Sequence, residues 1–357
     1  MTQQADSPRR SPAQDSDPPP SLLAELRDAI TPHATLLVVG VLALQLLFIA
    51  SYVGALHHPK LRDAPFGVVA PPAVAEQTVA RLERLPGEPL DPRKVADAAA
   101  ARELILNREI DGALLVDPAR TTDTLLVASG GGRSLATALT TLVGTLERSE
   151  GRTLRTVDVS PADLGDANGL TSFYLVVGWC VGGYLCASAL AVSAGARPTD
   201  LRRGAIRLAA LAVFSALGGL GGAVIAGPVL GALPGSVAAL WGLGTLVVFA
   251  VGAATLALQC LFGIAGIGVA VLLVVIAGNP SAGGALPLPL LPPFWAAIGP
   301  ALPPGAGVWV ARSIAYFEGN DVTVALLVLS AWATAGAAIT LVMAALRRTP
   351  EPRPSEA

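Results

Sequence analysis

The residues of this chain whose types and spacing could do chemistry are few: two adjacent histidines, one glycine-rich stretch, three cysteines and a short arginine-rich loop. His57 and His58 could ligate a metal, but neighbours at i and i+1 on a helix point in different directions, which argues against a shared ion. The stretch SGGGRS, 129–134, is rich enough in glycine to cradle a phosphate. It lacks the Lys-Ser/Thr ending of a phosphate-binding loop, so it reads as a turn from a strand into a helix starting at 134. Cys180, Cys186 and Cys260 lie in apolar segments without CxxC spacing, and read as small core residues. The loop RPTDLRRGAIR, 197–207, carries Arg197, Asp200, Arg202, Arg203 and Arg207. Arginines in a short loop between apolar runs mark the cytoplasmic side of a membrane protein. No nucleophile–base pair is visible, so the expectation is a non-enzyme with no cofactor, no metal and no ATP site of its own.

Composition says what must position these residues. Of 357 residues, 53% are hydrophobic and 14% charged, with a mean hydropathy of +0.61. Soluble proteins carry about 25% charged residues, so the class is membrane protein, and a net charge of −2 offers nothing for nucleic acid. Residues 1–20 are polar and proline-rich and read as a disordered tail. Residues 21–33 open on Ser21 as N-cap and place Leu22, Leu23, Leu26, Ala29 and Ile30 on one helical face, an amphipathic helix lying on the membrane. The first span is 34–56; its apolar core is longer than the roughly 7–15 residues of a signal peptide, which favours retention in the membrane. Residues 57–170 hold most of the charges. Strands at 66–70, 112–116, 124–129 and 155–160 alternate with helices at 73–85, 94–110 and 134–150, an α/β domain. Further spans follow at 171–193, 208–232, 237–258, 262–278 and 322–346, and 347–357 is a polar tail.

The expected fold is thus an α-helical integral membrane protein with six transmembrane helices and an α/β extracytoplasmic domain inserted between the first two. Arg27, the loop 197–207 and Arg347 with Arg348 all fall on one side only if the spans number six. Both termini are then cytoplasmic, in the plasma membrane, and 57–170 and 279–321 lie outside. The 279–321 stretch includes Pro287, Pro292, Pro293, Pro303 and Pro304, and cannot be one straight helix. It reads as a re-entrant or interfacial cap that puts leucines, Phe294 and Trp295 into the outer leaflet edge; a plain apolar loop packed on the external domain is the alternative. Trp295, Trp309, Tyr316 and Phe317 would form an interfacial aromatic belt, with Arg312 and Glu318 in the polar layer. Gly178 with Gly182, and Gly218 with Gly222, have GxxxG spacing and are the expected close helix contacts, within the bundle or at a homodimer seam. No Asp, Glu, His, Lys or Arg falls in the central part of a span, which argues against proton-driven transport.

Two stretches, NREIDGALLVDPA (107–119) and NPSAGGALPLPLLPPFWAAIGPALPPGAGVWVARSIAYFEGN (279–320), together with the order of segments, resemble the type-2 ABC exporter permeases. Within these, the YhgE/Pip branch (phage infection and nitrosoguanidine-resistance-type proteins) is the most similar. The resemblance implies a homodimer with a substrate path between protomers, and a separate ATP-binding subunit coupled through Arg197, Asp200, Arg202 and Arg203. Members of that branch often lack an evident ATPase, and some serve as receptors or envelope machinery. The expected function is the permease of an exporter of an amphiphilic, drug-like or envelope substrate. The alternative is a non-transporting scaffold or receptor whose 57–170 domain recognises envelope proteins.

Overall fold

A computed structural model describes residues 31–347. The expected amphipathic helix at 21–33 falls largely outside them, as do Arg27, Arg348 and both tails. The chain divides into two compact units at Leu47–Phe48, within the first helix, α1 (Pro32–Leu56). Everything below concerns the second unit.

Between α1 and the next long apolar helix lies a five-stranded mixed sheet. Its strands are β1 (Ala64–Val69), β2 (Leu90–Lys94), β3 (Gly112–Leu115), β4 (Thr122–Val127) and β5 (Thr153–Asp158). Their order is β2-β1-β3-β4-β5, parallel except for the antiparallel β3–β4 pair. Helices α2 (Pro72–Glu83) and α4 (Arg133–Ser149) cover one face, where Phe66, Val68, Leu114, Leu125, Leu82 and Leu139 share a core. Helix α3 (Ala98–Leu106) covers the other, over Ala113, Ile110 and Leu126. A sheet buried on both faces needs apolar runs rather than alternation, and FGVV and GALL supply them. The helix expected at 94–110 begins later. Lys94 pairs with Val68 in β2, and the Asp97 carboxylate caps the helix by accepting from Ala100 N at 2.8 Å. Pro92 is tolerated because β2 is an edge strand.

Among the described residues five helices are long and apolar enough to cross a membrane. Besides α1 they are α5 (Thr171–Ala194), α6 (Leu201–Val224, continuing as a π-helix to Val229), α7 (Val237–Phe262) and α11 (Thr323–Ala345). The segment expected to span at 262–278 is instead α8, Ala265–Ser281, which starts beyond the left-handed Gly263 and includes a π-helical stretch. At about 1.5 Å per residue its length falls somewhat short of a ~30 Å hydrocarbon core. Helix α7 is the axis of the bundle; α5, α6 and α11 all pack on it.

The glycines that make those contacts are one residue out of the expected frame. A Cβ on Gly183 would lie 2.6 Å from the Val248 carbonyl oxygen, and one on Gly219 would lie 2.5 Å from Thr245 N. Gly252 and Gly244 on α7 are the reciprocal close approaches. Of the four expected, Gly222 is tight, against the Trp179 indole; Gly182 and Gly218 meet only the Phe214 ring at ordinary distance, and Gly178 faces open space. GxxxG spacing names a helical stripe, but which stripe faces a neighbour is decided by rotation of the helix.

The 279–321 stretch lies between sheet and bundle. Pro293 and Pro303 take first-turn positions of two helices, α9 (Pro293–Ile298) and α10 (Pro303–Tyr316), where their fixed φ and missing N–H cost nothing. Helix α10 is buried along most of its length and packs on α5, α7 and α11. Leu290 is buried in the sheet's core rather than held out towards lipid, and Pro287 is buried too. Pro292 and Trp295 are half-buried, Pro303 and Pro304 buried, and Phe294 is 64% exposed.

Candidate functional site

The sheet and α10 meet around a cavity of about 360 Å³. Its walls are largely apolar: Ile105, Ile110 and Leu135 from the sheet side, Leu288, Val308 and Ala325 from the other. Four ionisable residues also line it, Arg108, Asp111, Arg312 and Asp321.

Local sequence explains how each arrives there. Arg108 follows the last turn of α3 in a left-handed conformation, φ 61°, which costs a non-glycine residue about 1–2 kcal/mol. That bend brings its guanidinium 3.3 Å from the centroid of the Trp309 ring and 5.0 Å from that of Phe317. Its Nη1 donates to Trp309 O at 2.8 Å and to Ser313 Oγ at 2.6 Å. Burial, and then the charge of Arg312, lower its pKa to about 9, so it stays protonated at neutral pH. Asp111, three residues on, immediately precedes β3. Burial pushes its carboxyl up to about 6, against the opposing pull of Arg108. The surface that these two side chains retain lines the cavity.

Arg312 is buried in α10, not placed in a polar surface layer as expected. It donates to Gly283 O at 2.6 Å, Gly284 O at 2.7 Å and Gly169 O at 3.3 Å. One guanidinium therefore ties the glycine turn before the prolines to the linker that enters α5. Burial lowers its pKa to about 10, still well above neutral. Beside it Tyr316 donates to Asp166 at 2.9 Å, and Asp166 accepts from Thr171 N and Oγ at the start of α5. Phe317 is buried, Trp309 is held by its Nε1 bond to Asp321 O at 2.7 Å, and only Glu318 is exposed as expected.

SGGGRS is the turn into α4, and it docks the sheet on the cap. A Cβ on Gly130 would overlap the Tyr316 side chain, and one on Gly132 would overlap Pro287. The glycines therefore serve close packing.

A second cavity, of about 380 Å³, lies within the sheet domain and is polar. Arg152 pairs with the buried Asp123 at 2.5 Å and with the buried Glu147 at 3.5 Å, and Arg81 reaches Glu147 and Glu150. Burial, and then the neighbouring Asp123, push Glu147 up to about 7. The guanidinium of Arg152 holds Asp123 below the usual carboxylate range despite burial.

The arginine loop is mostly spent on its own structure. Arg197 donates to Leu261 O at 3.1 Å, closing on the end of α7. Asp200 is the N-cap of α6, accepting from Arg203 N at 2.9 Å. Arg207 is buried and donates to Ala194 O at 2.6 Å. Arg202 and Arg203 stay exposed. His57 Nδ1 bonds its own helix at Val53 O. Among the described residues no group of three or more His, Cys, Asp or Glu is placed to hold a metal ion.

Sequence reasoning singled out neither Arg108 nor Asp111. One signal for Arg312 was available: it is the single charged residue between Gly278 and Phe317. No family model, curated protein or solved structure matches the chain.

Proposed function

We propose that the chain is the membrane permease subunit of an exporter of the type-2 ABC kind, moving an amphiphilic, drug-like or envelope substrate. The observation that carries this reading is the junction cavity, largely apolar with a few charged residues contributed from both sides, set where the bundle meets the sheet domain. Such a site suits a molecule with both a polar and a hydrocarbon part. The bundle fits the same substrate class. Among the described residues Asp, Glu and Lys are absent from the five long apolar helices, the one histidine, His33, lies in the first turn of α1, and arginine is confined to the first turns of α6. A proton-coupled path would need an ionisable relay within it. Energy would then come from a separate ATP-binding subunit, with exposed Arg202 and Arg203 as its contact and, with the 17-residue α8 as a short sixth span, both termini cytoplasmic. A second copy would pack on the outer face that Gly178 and Gly221 leave open.

The test is purification from the native host in mild detergent, with mass spectrometry of what accompanies the chain, then ATP-dependent uptake by inside-out vesicles. A stoichiometric ATP-binding subunit and nucleotide-dependent uptake are expected. Recovery of envelope proteins through residues 57–170, with no nucleotide-dependent uptake, would replace the permease by a receptor or scaffold.

A further inference from the structure

The bond inventory of the cavity is incomplete in a specific way. Arg108 spends Nη1 on Trp309 and Ser313. Its Nε and Nη2 have no hydrogen-bond acceptor among the described residues. Asp111 is three residues away on the same wall. Its carboxylate has no hydrogen bond and no ion pair among the described residues, although the charge of Arg108 acts on it. Acid and base thus face one cavity without joining; both are half-buried, and their unbonded atoms stay accessible from the cavity, where partly desolvated charges gain from a partner of opposite sign. A direct Arg108–Asp111 bridge would complete both, but the left-handed turn and the Trp309 stack hold the guanidinium elsewhere.

The other two charges are differently placed. Arg312 spends three bonds on backbone carbonyls. Asp321 is exposed, and its backbone oxygen holds Trp309. The four ionisable residues sum to zero, two arginines against two aspartates. A head of either net charge would therefore satisfy one open group and leave the other uncompensated. A head with both charges would satisfy both, and the apolar remainder of the wall would take a hydrocarbon chain.

We propose that this cavity is a binding site for a single-chain zwitterionic amphiphile, its anionic group on Arg108 and its ammonium on Asp111. This rests on the amphiphile reading of the permease and names the head that the site accepts.

The test uses the purified full-length chain in nanodiscs of phosphatidylglycerol, without nucleotide. Three radiolabelled probes are titrated: lauroyl lysophosphatidylethanolamine (zwitterionic), dodecyl phosphate (anionic) and dodecylamine (cationic). One zwitterion per chain is expected, bound at least about tenfold tighter than either singly charged probe, the step that one unsatisfied charged contact of about 1.4 kcal/mol represents. Asp111→Asn should weaken the zwitterion about tenfold and bring dodecyl phosphate level with it or above. Arg108→Gln should do the converse for dodecylamine. Asp111→Asn removes no bond within the protein, so it remains informative if Arg108→Gln destabilises the fold. Equal binding of all three probes, or unchanged selectivity in Asp111→Asn, would overturn the proposal. Selective binding without ATP-dependent uptake would leave this site standing and remove only the permease reading. Uptake without selective binding would do the reverse.

Discussion

The one-residue offset between the expected and observed glycine contacts makes a sharp test, Gly183→Ala against Gly178→Ala, with Gly182→Ala between them. An alanine Cβ at 183 would sit 2.6 Å from the Val248 carbonyl oxygen and 3.1 Å from Gly252 N. Comfortable separation of non-bonded heavy atoms is about 3.5 Å, so α5 and α7 must part by roughly 1 Å along that contact. Both obstacles are helix backbone and cannot rotate away. Overpacking of this kind costs about 1–3 kcal/mol, and a rigid obstacle puts Gly183→Ala in the upper half of that range. At 178 a Cβ meets nothing within 4 Å, and the alanine recovers some helix propensity, at most about 1 kcal/mol. At 182 it makes an ordinary 3.6 Å contact with a Phe214 ring. Reversible unfolding in mixed micelles of maltoside and dodecyl sulfate reads these differences. The expected order of loss is Gly183→Ala well above Gly182→Ala, with Gly178→Ala neutral or stabilising. A loss at 178 equal to that at 183 would refute the assignment of α5's inner face. Crosslinking separates the second role: Gly178→Leu should lower the dimer fraction while leaving unfolding unchanged if the outer face seats a second copy.

Arg312→Met strands the carbonyls of Gly169, Gly283 and Gly284 in a buried site, and should cost about 3–5 kcal/mol; a loss below about 1 kcal/mol by the same unfolding assay would show that water takes over those bonds. Glu147 has a folded pKa of about 7, above its ordinary 4.5, so the folded state binds the extra proton between those values and stability falls as pH rises through that window. Asp111, raised to about 6, acts in the same direction below that pH, so the slope between 6 and 7 belongs to Glu147. The groups facing it are Arg81 on α2, Asp123 on β4, and Arg152, whose guanidinium stays charged throughout. Glu147→Gln should flatten that slope and raise stability at pH 8; an unchanged slope in denaturant titrations at pH 6 and 8 would contradict the assignment. Arg202 and Arg203, changed together to Glu, should abolish stimulation of a co-purified ATPase with little effect on unfolding, since the side chain of Arg203 makes only an exposed 3.8 Å pair with the N-cap Asp200, worth under about 1 kcal/mol, whereas Arg197 and Arg207 bond helix-end carbonyls; altered membrane topology in a protease-protection assay would show that they only set orientation.

Several features were legible in the residues alone because they depend on local pattern. Long uncharged runs such as 237–258 and 322–346 make apolar helices wherever the chain goes. FGVV, GALL and the leucine spacing of 134–150 give strands and a helix for the same reason, and SGGGRS makes the turn between them. Edge strand β2 was hidden because Pro92, Asp91 and Lys94 do not look like a strand; its partner β1 supplies the pairing. Tertiary structure alone decided which glycine stripe turned inward, since rotation about a helix axis is set by the neighbours and not by spacing. It also decided the site. Asn107–Asp111 and Trp309–Ser313 fall in the two stretches that carry the family resemblance, but they lie some two hundred residues apart and nothing in either says that they meet. They matter together because a left-handed turn at Arg108 and a proline-started helix carrying Trp309 meet across one cavity. Arg312 shows the same limit: a lone charge in an apolar run says that something must satisfy it, but only the fold says that three backbone carbonyls do.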